Sequence, residues 1–196
     1  MSTRRAEIER ATKETSVRVT LDLDGSGEVD VRTGIGFLDH LLAALAHHAR
    51  FDVSLECQGD LEVDDHHTAE DCALALGAAF DRALGERRGI ARFGHAYVPL
   101  DEALARAVVD LSGRPFAAVR LGLRREALGR LSCENVAHVL RSFAVASRST
   151  LHVRCLEGEN DHHRAEAAFK AAAVALRQAV QRENGARVPS TKGVLG

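Results

Sequence analysis

Two segments of this chain carry the same pattern, and that duplication restricts the fold more than any other feature of its 196 residues. Residues 40–70 run "HLLAALAHHARFDVSLECQGDLEVDDHHTAE", and residues 138–166 run "HVLRSFAVASRSTLHVRCLEGENDHHRAE". Both read as a histidine, an apolar stretch at helical spacing, a short apolar run and then His-His-x-x-Glu. The match extends upstream, because Glu14 lies eleven residues before Gly25 and Glu102 lies eleven before Gly113. The offset is 88 at the glycines and 96 to 98 at the histidines, so the second copy holds about ten extra residues, assigned to "LRREALGRLS" as a loop or turn difference. Self-similarity on this scale sets the architecture before any single element does.

Within a copy, Val17, Val19, Leu21 and Leu23 alternate with polar residues, "DGSG" supplies turn chemistry, and Glu28 to Arg32 alternates again. That pattern reads as a β-hairpin, with "SGRP" as the turn of the second copy. Phe37, Leu38, Leu41, Leu42 and Leu45 follow at helical spacing, then a short strand near "FDVSLEC", then a second helix from about His67 to Leu84. The expectation is an α+β fold, a tandem pseudo-symmetric duplication in which each half is β-β-α-β-α with two helices packed on one face of a small sheet. Residues 1–196 then form one domain of two fused halves, about 1–93 and about 94–196.

A hydrophobic content of 45% suffices for a substantial core, and a formal charge of -2 without a dense basic block argues against nucleic-acid or anionic-membrane partners. A small-molecule partner is expected. Cys57, Cys72, Cys133 and Cys155 are scattered without CxxC spacing and read as reduced core thiols of a cytoplasmic protein. The start "MSTRRAEIERATKET" is charged, and the longest apolar run, "CALALGAAF", is far short of the roughly 20 residues a bilayer requires, so a soluble, unprocessed chain is expected.

Adjacent residues on a helix point about 100° apart, whereas i,i+3 and i,i+4 neighbours share a face. His66 and His67 therefore do not readily serve one ion together, while Glu70 lies beside either; the same holds for His162, His163 and Glu166. An acid before a helix is also an N-cap signal, but capping requires no histidines, and here the pattern occurs twice with His40 and His138 at matched places. Six imidazoles and two carboxylates divide into two sites of four. Nitrogen and oxygen donors without thiolate suit Mn(II), Fe(II), Co(II) or Zn(II), and four protein ligands on an octahedral ion leave two positions for substrate.

The motifs "RRAEIERATKETSVRVTLDLDGSG", "TGIGFLDHLL", "DDHHTAED", "VPLDEALARAVVDLSGRPF", "ENDHHRAEAAFKA" and "VPSTKGVL", in this order, resemble the imidazoleglycerol-phosphate dehydratase family over nearly the whole chain. The resemblance implies dehydration of D-erythro-imidazole glycerol phosphate to imidazole acetol phosphate in histidine biosynthesis, at two Mn(II) per subunit. It implies one ion on His40, His67, His162 and Glu166, and another on His66, Glu70, His138 and His163. Exchanging the halves maps one set onto the other. The proton to be removed is not beside a carbonyl, and the resemblance implies that metal acidifies the substrate imidazole, giving an imidazolate that expels the neighbouring hydroxyl through a diazafulvene-like intermediate.

By the same resemblance Glu14 transfers protons, His48 lies near the substrate, and Arg92, Arg114, Lys170, Ser190 and Lys192 bind the phosphate, arginine offering planar bidentate donors. His47, His95 and His152 read as ordinary histidines, and Glu102 has no implied role. Leu42 and Leu100 replace methionines common in the family, and Ala43 and Ala44 stand where many members carry a polar residue. A homo-oligomer, a 24-mer with metal sites between subunits, is implied, with metal lost as histidines protonate through about pH 6. The residues alone also admit a two-metal hydrolase acting on a phosphate ester or amide, which would place water and not a substrate nitrogen in the open positions, or a metal-binding, storage or self-assembling structural protein, which would leave the cationic set and the C-terminal tail without a task.

Overall fold

The computed structural model describes residues 4–183, 185, 188–190 and 195. The first half runs β1 (Arg5–Ala11), β2 (Thr15–Asp22), β3 (Val29–Arg32), α1 (Gly36–Ala49), β4 (Asp52–Gly59) and α2 (His66–Leu84). The second runs β5 (Phe93–Leu100), β6 (Ala103–Asp110), β7 (Phe116–Arg120), β8 (Ala127–Leu128), β9 (Leu131–Ser132), α3 (Cys133–Ala146), β10 (Thr150–Glu157) and α4 (Asp161–Ala179). Two sheets with equivalent orders result, β1-β2-β4-β3 and β5-β6-β10-β7. The α+β duplication expected from the sequence is present, and matched helices have equal lengths, 14 residues for α1 and α3 and 19 for α2 and α4.

Two details correct the sequence reading. Each half begins one strand earlier, because β1 pairs antiparallel with β2, and β5 with β6. The segments expected as one hairpin do not pair with each other: β2 lies antiparallel to β4, and β3 lies on the other side of β4, parallel to it. The cause is Asp52, whose Oδ1 accepts the backbone N–H groups of Ser26, Gly27 and Glu28 at 2.8 to 2.9 Å. Those bonds gather "DGSG" over the start of β4 and carry the chain across it. A Cβ on Gly25 would stand 2.4 Å from the Asp52 Cγ, which explains the glycine. In the second half β7 is likewise parallel to β10, beyond the "SGRP" turn.

Apolar residues at alternate strand positions, such as Val17, Val19 and Leu21, face the helices. Helix α2 packs on β1, β2 and β4, while α4 packs on β5, β6 and β10. Between helices the main contacts cross the halves, α1 against α4 and α2 against α3. Small residues permit close approach: alanines fill the buried face of α4, and a Cβ on Gly94 of β5 would meet the Ala175 carbonyl at 1.9 Å. All four cysteines are buried and unbridged. Among the described residues no helix is long and apolar enough to cross a membrane.

Phe80 of α2 lies with its ring centroid 6.0 Å from that of Phe51 and 5.5 Å from that of Phe143 on α3, and is only 1% exposed. It joins the two halves within the core. Replacing Phe80 by alanine is expected to lower the unfolding free energy by about 3–5 kcal/mol, as read from urea denaturation; a loss below about 1 kcal/mol would show that the halves do not depend on this contact.

Candidate metal centre

The two cross-half helix pairs bring the histidine motifs together. His40 on α1 meets His162 and Glu166 on α4, and His138 on α3 meets His66 and Glu70 on α2; within each trio the potential ligand atoms all lie within 4.8 Å of one another. The Glu166 Oε2 stands 2.9 Å from the His40 Nε2 and 3.1 Å from the His162 Nε2, and the Glu70 Oε1 stands 2.8 Å from the His138 Nε2. Donors each about 2.1 Å from a shared ion and at right angles stand about 3 Å apart, so the spacing fits a metal. The donor set, imidazole with carboxylate and no thiolate, suits the same borderline and harder divalent ions.

His67 and His163, the second histidines of the motifs, lie outside these trios. The rings of His66 and His67 are inclined at 75°, and those of His162 and His163 at 84°. The His67 Nδ1 is 3.0 Å from Asp60 and its Nε2 is 3.7 Å from Glu14. The His163 Nδ1 is 2.7 Å from Glu102 and its Nε2 is 3.8 Å from Asp101. Hydrogen bonding to Asp60 raises the pKa of His67, and hydrogen bonding to Glu102 raises that of His163. Glu102 itself is held at about 2, first by His163 and then by backbone N–H donation from Asn160. It also accepts the Glu159 N–H, so it anchors the turn entering α4. Its repeat mate Glu14 faces the other nitrogen of the matched histidine.

Further polar residues hold this arrangement. Asn135, 2% exposed and three residues before His138 on α3, lies 3.0 Å from the His66 Nδ1 and also bonds Asp65. At the matched place before His40 stands Phe37, whose ring packs edge-on against His162 at 4.9 Å. The extra segment of the second copy is the small hairpin β8–β9. Asp161 accepts the N–H groups of Arg124 and Arg125 at 2.7 Å, and Asp65 accepts the Ser132 N–H at 2.6 Å and its hydroxyl at 2.8 Å. Asp64 and Asn160 do the capping, each accepting the N–H of the first histidine. Spacing alone offered no signal for Asp60 or Asn135, and it marked Glu102 only as the repeat mate of Glu14.

Beside the first trio, His40, His48, Glu166 and Lys170 line an open cavity of about 440 Å³, with Ala43 and Ala44 in its wall. Burial and then the Lys170 charge lower the pKa of His48, which favours its neutral ring. Burial pushes the Glu166 carboxyl upward, but Lys170 at 2.6 Å and His40 together hold it at about 2. Arg92 is bound by Asp110 at 2.7 and 3.1 Å and donates to the Pro189 carbonyl at 2.6 Å, tying it to the C-terminal segment. Arg114 is exposed in its turn, Ser190 follows Pro189, and Lys192 lies outside the described residues.

Residues 33–176 match the family described as imidazoleglycerol-phosphate dehydratase. The chain is 62% identical over 192 residues to such a dehydratase from Phytophthora nicotianae, covering 98% of this chain and 42% of that protein. It is 52% identical over 219 aligned positions to the one from Saccharomyces cerevisiae, covering 100% of both. Solved imidazoleglycerol-phosphate dehydratases from Pyrococcus furiosus and Staphylococcus aureus superpose with TM-scores of 0.83 and 0.82 at 36% and 32% identity. The first comparison covers 96% of this chain and 100% of the other, and the second 91% and 99%.

The low pKa of Glu166 has a measurable consequence in metal-free protein. A carboxylate whose folded pKa is depressed contributes stability above its unfolded pKa, about 4.3, and that stability is lost as pH falls through the folded value of about 2. Lys170→Met removes one of the two charges responsible and raises the folded pKa toward the unfolded one, so the acid-side loss, which begins near the unfolded pKa in both proteins, is expected to be smaller and to end at higher pH than in the parent. Urea denaturation between about pH 2 and 6 reads the difference; superimposable profiles would refute this account of Glu166.

Proposed function

The chain belongs to the imidazoleglycerol-phosphate dehydratase family, hydro-lyases of histidine biosynthesis, and on that premise we propose that it dehydrates D-erythro-imidazole glycerol phosphate to imidazole acetol phosphate with two divalent metals per subunit, expected as Mn(II). The observation that carries the metal reading is the convergence of His40 with Glu166 and of His138 with Glu70 at 2.8 to 2.9 Å, each pair joined across the two halves. His40, His162 and Glu166 hold one ion, and His66, Glu70 and His138 the other.

Each trio needs a fourth donor, and His67 and His163 are the unused imidazoles. Their Nδ1 atoms are taken by Asp60 and Glu102, which leaves Nε2 as the coordinating nitrogen and fixes the ring direction. Because neither belongs to a trio of its own chain, we assign His67 to the first kind of site and His163 to the second, each delivered to a neighbouring subunit. Metal sites between subunits follow, as does a homo-oligomer, expected to be a 24-mer. The reading takes residues 1–196 as one dehydratase domain of halves meeting near residue 93, which the shared helix layer supports. It places the enzyme in the cytoplasm.

Bound metal supplies the Lewis acidity that makes the substrate's imidazole N–H acidic. The residues of the chain do the rest. Glu14 stands 3.7 Å from the His67 Nε2, so a subunit that delivers His67 delivers this carboxylate to the same place. There Glu14 takes the proton from the carbon next to the one that has lost the hydroxyl, and its conjugate acid passes that proton to the released hydroxide, so that one water and the enol of the ketone product result. His48, kept neutral by burial, lines the cavity beside the substrate. Arg92, Arg114, Lys170, Ser190 and Lys192 receive the phosphate, and Lys170 already lines that cavity.

Purified protein loaded with Mn(II) is expected to form imidazole acetol phosphate and to lose that activity on chelation; no product from the loaded protein would sink the dehydratase reading. His163→Ala is expected to reduce bound Mn from about two to about one per subunit, measured by elemental analysis, and to weaken assembly. Unchanged metal content would reject the ligand assignment. Glu14→Gln is expected to keep both metals while lowering kcat by about 10²–10⁴-fold; a variant that lost metal instead would make Glu14 a ligand and not an acid/base.

A further inference from the structure

The offset of 88 that matches Gly25 with Gly113 also matches Arg4 with Arg92, and the two arginines are used alike. Arg92 donates from Nε and Nη2 to the two carboxylate oxygens of Asp110 at 2.7 and 3.1 Å, and from Nη1 to the Pro189 carbonyl at 2.6 Å. Arg4 donates from Nε and Nη2 to the carboxylate of Asp24, and from Nη1 to the Val180 carbonyl at 2.5 Å. Each guanidinium is thus aimed by a bidentate acid and grips a main-chain carbonyl of the segment that follows α4. The acids come from different places. The repeat mate of Asp110 is Asp22, which accepts the Asp24 N–H at 2.9 Å, and the mate of Asp24 is Ser112. What the copies share is therefore an aimed guanidinium and not a fixed acid–arginine pair.

Their surroundings differ. Asp24 is shared, since Arg182 also reaches it at 2.7 Å, so Arg4, Asp24 and Arg182 form a clasp at the end of α4. Asp110 pairs with no cation but Arg92 among the described residues. Arg92 also has a left-handed backbone, φ 70°, which a residue with a side chain keeps only where its surroundings over-determine it. Its N–H donates to the Ala179 carbonyl at 2.9 Å, its carbonyl accepts the Leu111 N–H at 3.0 Å, and its guanidinium carbon lies 4.6 Å from the Phe93 ring centroid. A guanidinium has five N–H groups; three are engaged, and two meet no acceptor among the described residues.

Resting on the reading of the substrate as a phosphate ester, we propose that Asp110 is a positioning residue for the phosphate and acts through Arg92. It holds the fork so that one guanidinium fixes the C-terminal segment at Pro189, beside Ser190, and presents its two remaining N–H groups to phosphate oxygens. Asp110 is no counter-charge to the substrate. Its own negative charge repels a phosphate, so by Coulomb's law alone its removal would tighten phosphate binding. An orienting role requires the opposite sign, because a fork on a rotatable stem that loses its bidentate partner loses the planar geometry it offers a phosphate. An amide at residue 110 adds to the loss, since its nitrogen is a donor and would face a guanidinium N–H.

The test compares Mn(II)-loaded wild type with Asp110→Asn, Arg92→Lys and the double variant. Asp110→Asn is expected to keep its far-UV circular dichroism and bound Mn, to raise KM for imidazole glycerol phosphate by about 10–100-fold and to change kcat less than about threefold. Inorganic phosphate, titrated calorimetrically, is expected to bind more weakly by a similar factor, while imidazole, which lacks the phosphate, inhibits as in wild type. The double variant is expected to be no weaker than Arg92→Lys, because Asp110 acts through that guanidinium. Tighter or unchanged phosphate binding in Asp110→Asn would overturn the proposal, as would equal losses toward phosphate and imidazole or additive effects in the double variant. If Asp110→Asn does not fold, Asp110→Glu, which keeps the charge and shifts the carboxylate, is read in the same way. Wild type that forms no product would fail the dehydratase reading instead, and the phosphate titration then still decides the role of Asp110.

Discussion

Both candidate ligand trios depend on one packing constraint, the pairing of α1 with α4 and of α2 with α3. Neither pair lies within one half of the duplication. Each trio therefore takes its upstream histidine from one half and its His-x-x-x-Glu pair from the other: His40 with His162 and Glu166, His138 with His66 and Glu70. The i,i+4 spacing places His162 beside Glu166 on any helix, but only the cross-half contact brings in the third imidazole. Small residues keep the helix layer thin. A Cβ on Gly77 of α2 would meet the Phe143 carbonyl of α3 at 2.7 Å, so a larger residue there would push apart the helices that carry His66 and His138.

Around the trios, the same ring nitrogen is used repeatedly as the handle. Nδ1 of His66 faces Asn135, Nδ1 of His67 faces Asp60, and Nδ1 of His163 faces Glu102, so Nε2 is presented in each case. Fixing one nitrogen sets both the tautomer and the ring direction at the other. Here the halves have diverged. Asn135 has Phe37 as its counterpart, and Glu102, which anchors His163, has Glu14, which faces the opposite side of His67. With Asp60 holding the His67 Nδ1, Glu14 has no anchoring task and remains half-exposed.

The helices were legible because apolar residues recur at helical spacing over long stretches; α2 was expected from about His67 and begins at His66. Strand β1 was hidden because an edge strand with one outward face, "RAEIERA", reads as polar sequence. The turn at "DGSG" misled for a related reason: local turn chemistry says nothing of Asp52, which lies after α1 in the chain and gathers those backbone N–H groups. The histidine and glutamate motifs were legible because they occur twice. Asp60 and Asn135 were not, because each is a lone polar residue without a counterpart in the other copy performing the same task. The acids before His66 also carried an N-cap signal, which Asp64 fulfils by accepting the His66 N–H, whereas Asp65 turns to Ser132.

Asp65 shows why the inserted hairpin belongs to the framework of the site. Asp65 and Asp161 are repeat mates, each directly preceding a His-His pair, and each accepts two hydrogen bonds from the extra segment. They grip its opposite ends, Asp161 at Arg124 and Arg125, Asp65 at Ser132. Carboxylates accepting backbone N–H bonds are held firmly in place and favoured in their charged form, and the Asp65 pKa is lowered accordingly, with Asn135 and Ser132 outweighing the effect of burial. One segment, present in a single copy, thus ties the starts of α2 and α4 together. The Asp65 grip reaches Ser132 at the entrance to α3, the helix that supplies His138. The second trio is therefore fixed from three directions, by α2, by α3 and by the strap between them, whereas the strap reaches the first only through Asp161 at the start of α4, beside α1 and the packing of Phe37.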